Sequence, residues 1–209
     1  MKNLDQISSR IRENLSAKNA ARDKALERSR TLIRFCANSI RAAHRDDRAE
    51  ARTLLAQAKG IVDAIRADLT AYPDLYHAGY TQDALKEFAE ASIVLTLLAD
   101  EPLPEPEALG VEYAAYLNGL GEAATEMRRR CLDIIRHGHS AEAERLLEAM
   151  DDIYSLLVTI DYPDALTGGL RRTTDIVRSV VERTRGDLTL SIRQQALQEA
   201  LKRHDPNSK

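Results

Sequence analysis

The chain reads as all-α, and three observations carry that reading. Apolar residues recur at helical spacing through most of its 209 positions, no segment shows the alternation of a strand, and only nine residues are glycine. Leu4 to Leu15 is polar, with weak periodicity. Asn19 to His44 is a long amphipathic segment with Leu26, Ile33, Ala37 and Ile40 along one side. Arg48 to Leu69 carries Leu54, Leu55, Ala58, Ile61, Val62 and Ile65 at the same spacing. Tyr72-Pro73-Asp74 breaks the pattern, because proline pushes the residue before it out of the helical region. Thr81 to Ala99 is apolar almost all round and so reads as a buried helix, with Thr81 as its expected N-cap. Three prolines at alternate positions mark Glu101 to Glu107 as a loop. Val111 to His137 is the next helix, ended near Gly138, and Ser140 is the expected N-cap of one reaching about Thr159. Asp161-Tyr162-Pro163 and Gly168-Gly169 make a second break before a terminal helix from Leu170 to Lys202. Seven helices with short connections predict an antiparallel bundle. The expected organisation is one domain over 1–209, with 1–18 and 203–209 peripheral or frayed.

Composition narrows the function classes. The net charge of −3 hides 23 arginines against 7 lysines, and the arginine fork suits phosphate, although codon bias gives the same excess. Cys36 and Cys131 are too few for a disulfide framework or a zinc site and read as core filler. No stretch has the length of a signal peptide or a membrane span, so the expected setting is cytoplasmic.

Two acidic patterns stand out in charge-poor surroundings. Glu87-x-x-Glu90 opens a run in which Glu90 is the only charged residue from Phe88 to Ala99. Glu122-x-x-x-Glu126 lies in a stretch, Val111 to Met127, that holds three glutamates and no Lys, Arg or His. Spacings of three and four put each pair on one helix face. Carboxylates without a local cation call for one from elsewhere, and Mg2+ takes oxygen ligands of this kind. The bland alternative is that Glu87 and Glu122 are simply solvated. A di-iron site normally adds Glu-x-x-His on two helices, and no histidine here stands three residues after a glutamate in these segments. A hard, all-oxygen site is therefore the better match.

Arg30, Arg34, Arg41, His44 and Arg45 fall in one stripe of the Asn19–His44 segment, beside its apolar side. Such a stripe is the electrostatic footprint of a phosphate backbone, or else a solvated face carrying ion pairs. Arg128-Arg129-Arg130 directly follows the second acidic pattern and offers further phosphate contacts. Tyr72, Tyr76, Tyr80 and Phe88 cluster in sequence, as stacking platforms or as packing. Gly119-Leu-Gly121 inside a helical pattern points to close helix contact. A phosphate-binding glycine loop and a Ser/His/Asp set are both missing from the sequence.

Three segments resemble translin and its partner, translin-associated factor X. Asp83-Ala-Leu-Lys-Glu87-Phe-Ala-Glu90-Ala91 looks like the factor X segment Gln-Glu-Tyr-Val-Glu-Ala. Tyr116-Leu-Asn-Gly119-Leu-Gly-Glu122-Ala-Ala-Thr-Glu126-Met-Arg-Arg129-Arg-Cys131 is similar to the family pattern Tyr-Leu-x-Gly-x-x-Asp-x-x-x-Glu-x-x-Arg-x-Cys. Glu27-Arg-Ser-Arg30 through His44-Arg45 looks like the family's first long helix. The likeness runs from about Arg22 to Ala200.

The resemblance implies a seven-helix translin-like bundle that assembles into closed barrels enclosing single-stranded nucleic acid. It implies that Glu87, Glu90, Glu122 and Glu126 are the metal-binding catalytic carboxylates of an Mg2+-dependent endoribonuclease, with Mn2+ as a possible substitute. Glu122 stands where factor X has Asp, one methylene shorter. Retaining all four acids makes the chain look like the nuclease subunit, in the manner of archaeal single-gene relatives that form homo-oligomers; six to eight subunits are expected. Arg30, Arg34, Arg41, Arg45 and Arg129 are the expected contacts to single-stranded RNA, or to single-stranded DNA. The alternatives are a non-catalytic single-strand-binding oligomer and a helical scaffold with no nucleic acid.

Overall fold

The computed structural model describes residues 3–138 and 141–204, and among these every regular element is an α-helix. Six are long: α1 (Leu4–His44), α2 (Arg48–Leu69), α4 (Gly79–Ala99), α6 (Tyr113–Ile135), α7 (Ala141–Val158) and α9 (Leu170–His204). Three are single turns: α3 (Pro73–Tyr76), α5 (Pro106–Leu109) and α8 (Asp164–Thr167). The all-α expectation is met, but its count of seven is not how the helices divide. Ser16-Ala17-Lys18 contains neither Gly nor Pro, so the first two expected helices run on as one of 41 residues. Each expected break in turn holds a single turn. Proline opens α3 and α5, where its fixed φ suits a first turn that needs no donor.

The helix ends follow local chemistry. Asp47 caps α2 by accepting from the Glu50 amide at 3.0 Å. Asp100 ends α4 in the left-handed region at φ 59°. Thr81 does not cap α4. The helix starts two residues earlier, and the Thr81 hydroxyl instead donates to the Leu75 carbonyl at 2.9 Å, tying α4 to α3. Ser140, the expected cap of α7, lies outside the described residues.

α4 is the middle of the molecule, packed between α1 and α6; α2 covers α1, while α7 and α9 lie on the far side of α6. One large apolar cluster runs through these helices and includes Leu32, Ile65, Leu85, Phe88, Ile93, Leu120, Met127, Leu146, Leu157 and Val177. Each such side chain contributes about 1.5–3 kcal/mol on burial. Cys36 and Cys131 are both in this core, as filler. The dipeptide pair in α6 serves two neighbours. A Cβ at Gly119 would lie 2.8 Å from the Lys86 carbonyl oxygen and 2.9 Å from the Glu90 nitrogen on α4. A Cβ at Gly121 would lie 2.4 Å from the Thr173 methyl on α9. Residues two apart on a helix point to opposite sides, so these two positions let α6 approach α4 and α9 at once.

Among the described residues, no helix is long and apolar enough to cross a membrane. The first turns of α1 and the last turns of α9 carry exposed apolar residues: Leu4, Ile11 and Leu15 on one, Leu190, Leu197 and Leu201 on the other.

Candidate active site

Glu87 and Glu90 sit one turn apart on α4, and Glu122 and Glu126 one turn apart on α6. The close approach at Gly119 lies one turn before Glu122, so it sets how near the two acidic turns come. Carboxylate oxygens of Glu87, Glu90 and Glu122 all lie within 4.8 Å of one another. Glu90 is only 8% exposed, and among the described residues nothing hydrogen-bonds its side chain. Burial first, then the charges of Glu87, Glu122 and Glu126, push its pKa up to about 8. Without a cation, Glu90 is thus largely protonated at neutral pH.

Two basic side chains from outside the two acidic stretches reach the site. Lys86 on α4 donates to Glu122 across the helix interface at 2.6 Å, and its Nζ is 3.3 Å from Glu87. On the other flank, His44 at the end of α1 meets Glu126 with Nε2 to oxygen at 2.7 Å. Its ring is 3% exposed, and its Nδ1 is buried without a partner. The His44 hydrogen bond outweighs burial and holds the Glu126 carboxyl below the usual carboxylate range, with Arg129 adding to the effect. Cys36 lies close behind the α4 acids; burial, reinforced by Glu87 and Glu90, raises its thiol far above the ordinary value and keeps it inert.

The donor set fits a hard divalent cation. Three carboxylates converge, one of them buried and unpartnered, and the convergent group contains neither Cys nor His. Glu126 is the fourth acid but is engaged by His44 rather than converging with the other three.

The arginines divide. Arg30, Arg34 and Arg41 are exposed on α1, and Arg45 is exposed just past its end; Arg34 lies 5.9 Å from the Phe35 ring and Arg45 pairs with Glu50 at 2.9 Å. Within the triplet, Arg128 is tied to Asp187 at 2.8 Å and Arg130 to Glu142 at 2.9 Å. Arg129 alone of the three is exposed, near Glu126. Of the sequence cluster of aromatics, Phe88 is in the core and the three tyrosines pack partly against it. The exposed tyrosine on this side is Tyr113, which donates to Glu107 at 2.6 Å. Beside the acids opens a groove of about 1020 Å³ between α4, α6 and the α8–α9 turn, lined by Lys86, Asn118, Glu122, Arg172 and Thr173 among others. Nothing in the sequence announced this groove, because its walls come from four separate segments.

No family model matches the chain. It is 31% identical over 191 residues to uncharacterized protein MJ0175 of Methanocaldococcus jannaschii, covering 90% of this chain and 84% of that one. Among solved structures it matches AfC3PO, determined alone and as a complex with duplex RNA, at 30% identity and a TM-score of 0.83 in both cases. The complex is matched over 90% of this chain and 97% of AfC3PO. The chain belongs to the translin family. A second structure, NeC3PO without ligand, shares the fold at 21% identity and a TM-score of 0.79.

Proposed function

We propose that the protein is a divalent-metal-dependent endoribonuclease that cuts RNA, single strands by preference, within a closed cytoplasmic homo-oligomer. The observation that carries this reading is the convergence of Glu87, Glu90 and Glu122 around a buried, unpartnered carboxyl. Glu87, Glu90 and Glu122 would hold Mg2+ or Mn2+, with Glu126 completing the acidic set. A bound ion there would polarise a phosphodiester and make a water more acidic. The chain's own part is positional: the His44 hydrogen bond holds the Glu126 carboxylate in place beside the three convergent acids. Arg129, the α1 arginines Arg30, Arg34 and Arg41, and Arg45 after them hold the backbone of the strand and set its register. The exposed leucines of α1 and α9 support assembly with further copies, because isolated apolar stripes of this kind are ordinarily covered. The proposed assembly has six to eight subunits.

A relative held with duplex RNA supports the substrate class, and it makes strandedness a question for the assay. The test is a gel assay of end-labelled RNA, as a single strand and as a short duplex, with Mg2+, with chelator, and with the Glu90→Ala/Glu126→Ala double variant. Cleavage only with metal and only in the parent protein supports the nuclease; a retarded but intact band in every lane removes it. One observation favours the second reading, a binding oligomer that does not cut. Lys86 already pairs with Glu87 and Glu122, and the His44 ring hydrogen-bonds Glu126, so three of the four acids have partners without any metal.

A further inference from the structure

Lys86 occupies an unusual position. Its ammonium lies between a carboxylate of its own helix, Glu87, and one of the facing helix, Glu122. Both belong to the three acids whose oxygens converge. Only about a fifth of the side chain is exposed, and the Glu122 contact, at 2.6 Å, is the short distance of a charge-assisted hydrogen bond. A divalent cation drawing on Glu122 must compete for the oxygen that Lys86 now holds. Two positive charges at one carboxylate repel, and the repulsion is little screened where the groups are largely out of water.

We propose that Lys86 is the internal counter-ion of the metal-free site and sets its metal affinity: loading a divalent cation displaces its ammonium from Glu122. This rests on the metal-site reading above. The groove next to Glu122 gives the displaced side chain somewhere to go, since Lys86 itself lines that groove together with Gln82, Asp83 and Asn118. Asp83 stands one turn before Lys86 on the same helix face and is exposed, so it offers the ammonium a new carboxylate without a change of backbone. Lys86 thereby acts as a positioning residue. It keeps Glu87 and Glu122 together when no metal is present and yields when one arrives. Glu90 is deeper; Lys86 acts on it through its charge, but among the described residues nothing hydrogen-bonds its side chain, so its oxygens are open to the incoming ion.

The test is Mn2+ binding to the full-length, RNA-free protein, measured by titration calorimetry and by the loss of the free-ion electron-paramagnetic signal. Parent, Lys86→Met and Lys86→Arg are compared, with Lys86→Gln in reserve should the methionine variant fail to fold. We expect Lys86→Met to bind Mn2+ about tenfold more tightly, about 1.4 kcal/mol, and to melt at a lower temperature when metal-free. Lys86→Arg keeps the charge and is expected to return the affinity to the parent value, which a purely steric role would not do. Mn2+ binding that is unchanged or weaker in both Lys86→Met and Lys86→Gln overturns the proposal while leaving the metal site standing. Absence of Mn2+ binding in parent and variants alike overturns both.

Discussion

Gly119 of α6 lies against the backbone of Glu90 on α4, so closely that a Cβ at residue 119 would be 2.9 Å from the Glu90 nitrogen. Alanine there would gain helix propensity, worth about 1 kcal/mol. It would also strike backbone atoms at Lys86 and Glu90, which cannot rotate away, and overpacking of this kind costs about 1–3 kcal/mol. The clash outweighs the propensity. We expect Gly119→Ala to lower the urea midpoint and to weaken divalent-ion binding together, because the carboxylates separate with the helices. Gly60 on α2 has open space where a Cβ would go, so Gly60→Ala is expected to stabilise by about 0.5–1 kcal/mol. The opposite signs of the two substitutions are the check.

Glu90 gives a pH dependence with a definite sign. Its folded pKa, near 8, lies above the ordinary 4.5, so the folded state holds a proton that the unfolded chain has released. Its contribution is intact below the unfolded pKa and is lost as pH rises toward the folded value, on the order of 5 kcal/mol in all. Denaturant melts of metal-free protein between pH 5 and pH 8.5 are expected to show this decline, and Glu90→Gln to flatten it.

Metal removal and proton release are linked to the same residue. A cation that takes Glu90 as a ligand must take it ionised. Calorimetry of Mn2+ binding in buffers of differing ionisation enthalpy is expected to find close to one proton released at pH 6 and little at pH 9. Equal release at both values would show that Glu90 does not give up its proton to the ion.

His44 and Glu126 form the second polar contact of the site, with the ring buried and the carboxylate partly exposed. His44→Ala leaves Glu126 half-buried without its partner, at a cost of about 1–3 kcal/mol at pH 7. The Glu126 pKa is depressed when folded, so its stabilisation is present above the unfolded value and fades as pH falls through the folded one. The difference between parent and His44→Ala is therefore expected to shrink in acid, as read from melts at pH 7 and pH 3.5.

Arginines on the surface and arginines in ion pairs should behave differently. Arg34→Ala and Arg41→Ala, both exposed, are expected to weaken RNA binding evenly across sequences and to lower the salt slope by about 0.7 each. Arg128→Ala, which severs the contact to Asp187, is expected to lower the melting temperature and leave the slope unchanged.

What the sequence determined is what one helix can dictate. Rise and turn per residue put Glu87 with Glu90 and Glu122 with Glu126 on common faces, proline and paired glycines placed the breaks that hold α3, α5 and α8, and the apolar run of α4 marked it as central. The single helix of 41 residues escaped, because weak periodicity over Leu4 to Leu15 looked like a separate element although nothing there stops a helix. Only the tertiary structure decided which partners meet across helices. Lys86 is a neighbour of Glu87 in sequence, yet its shorter contact is to Glu122, 36 residues away. His44 looked like part of a basic surface stripe and is buried on Glu126, 82 residues away. Of three consecutive arginines, Arg129 is exposed beside the acids while Arg128 and Arg130 are spent on α9 and α7. The reason is geometric. Spacing along one helix fixes direction, but the distance between two helices is fixed by what lies at their crossing, and here that is the missing side chain of Gly119.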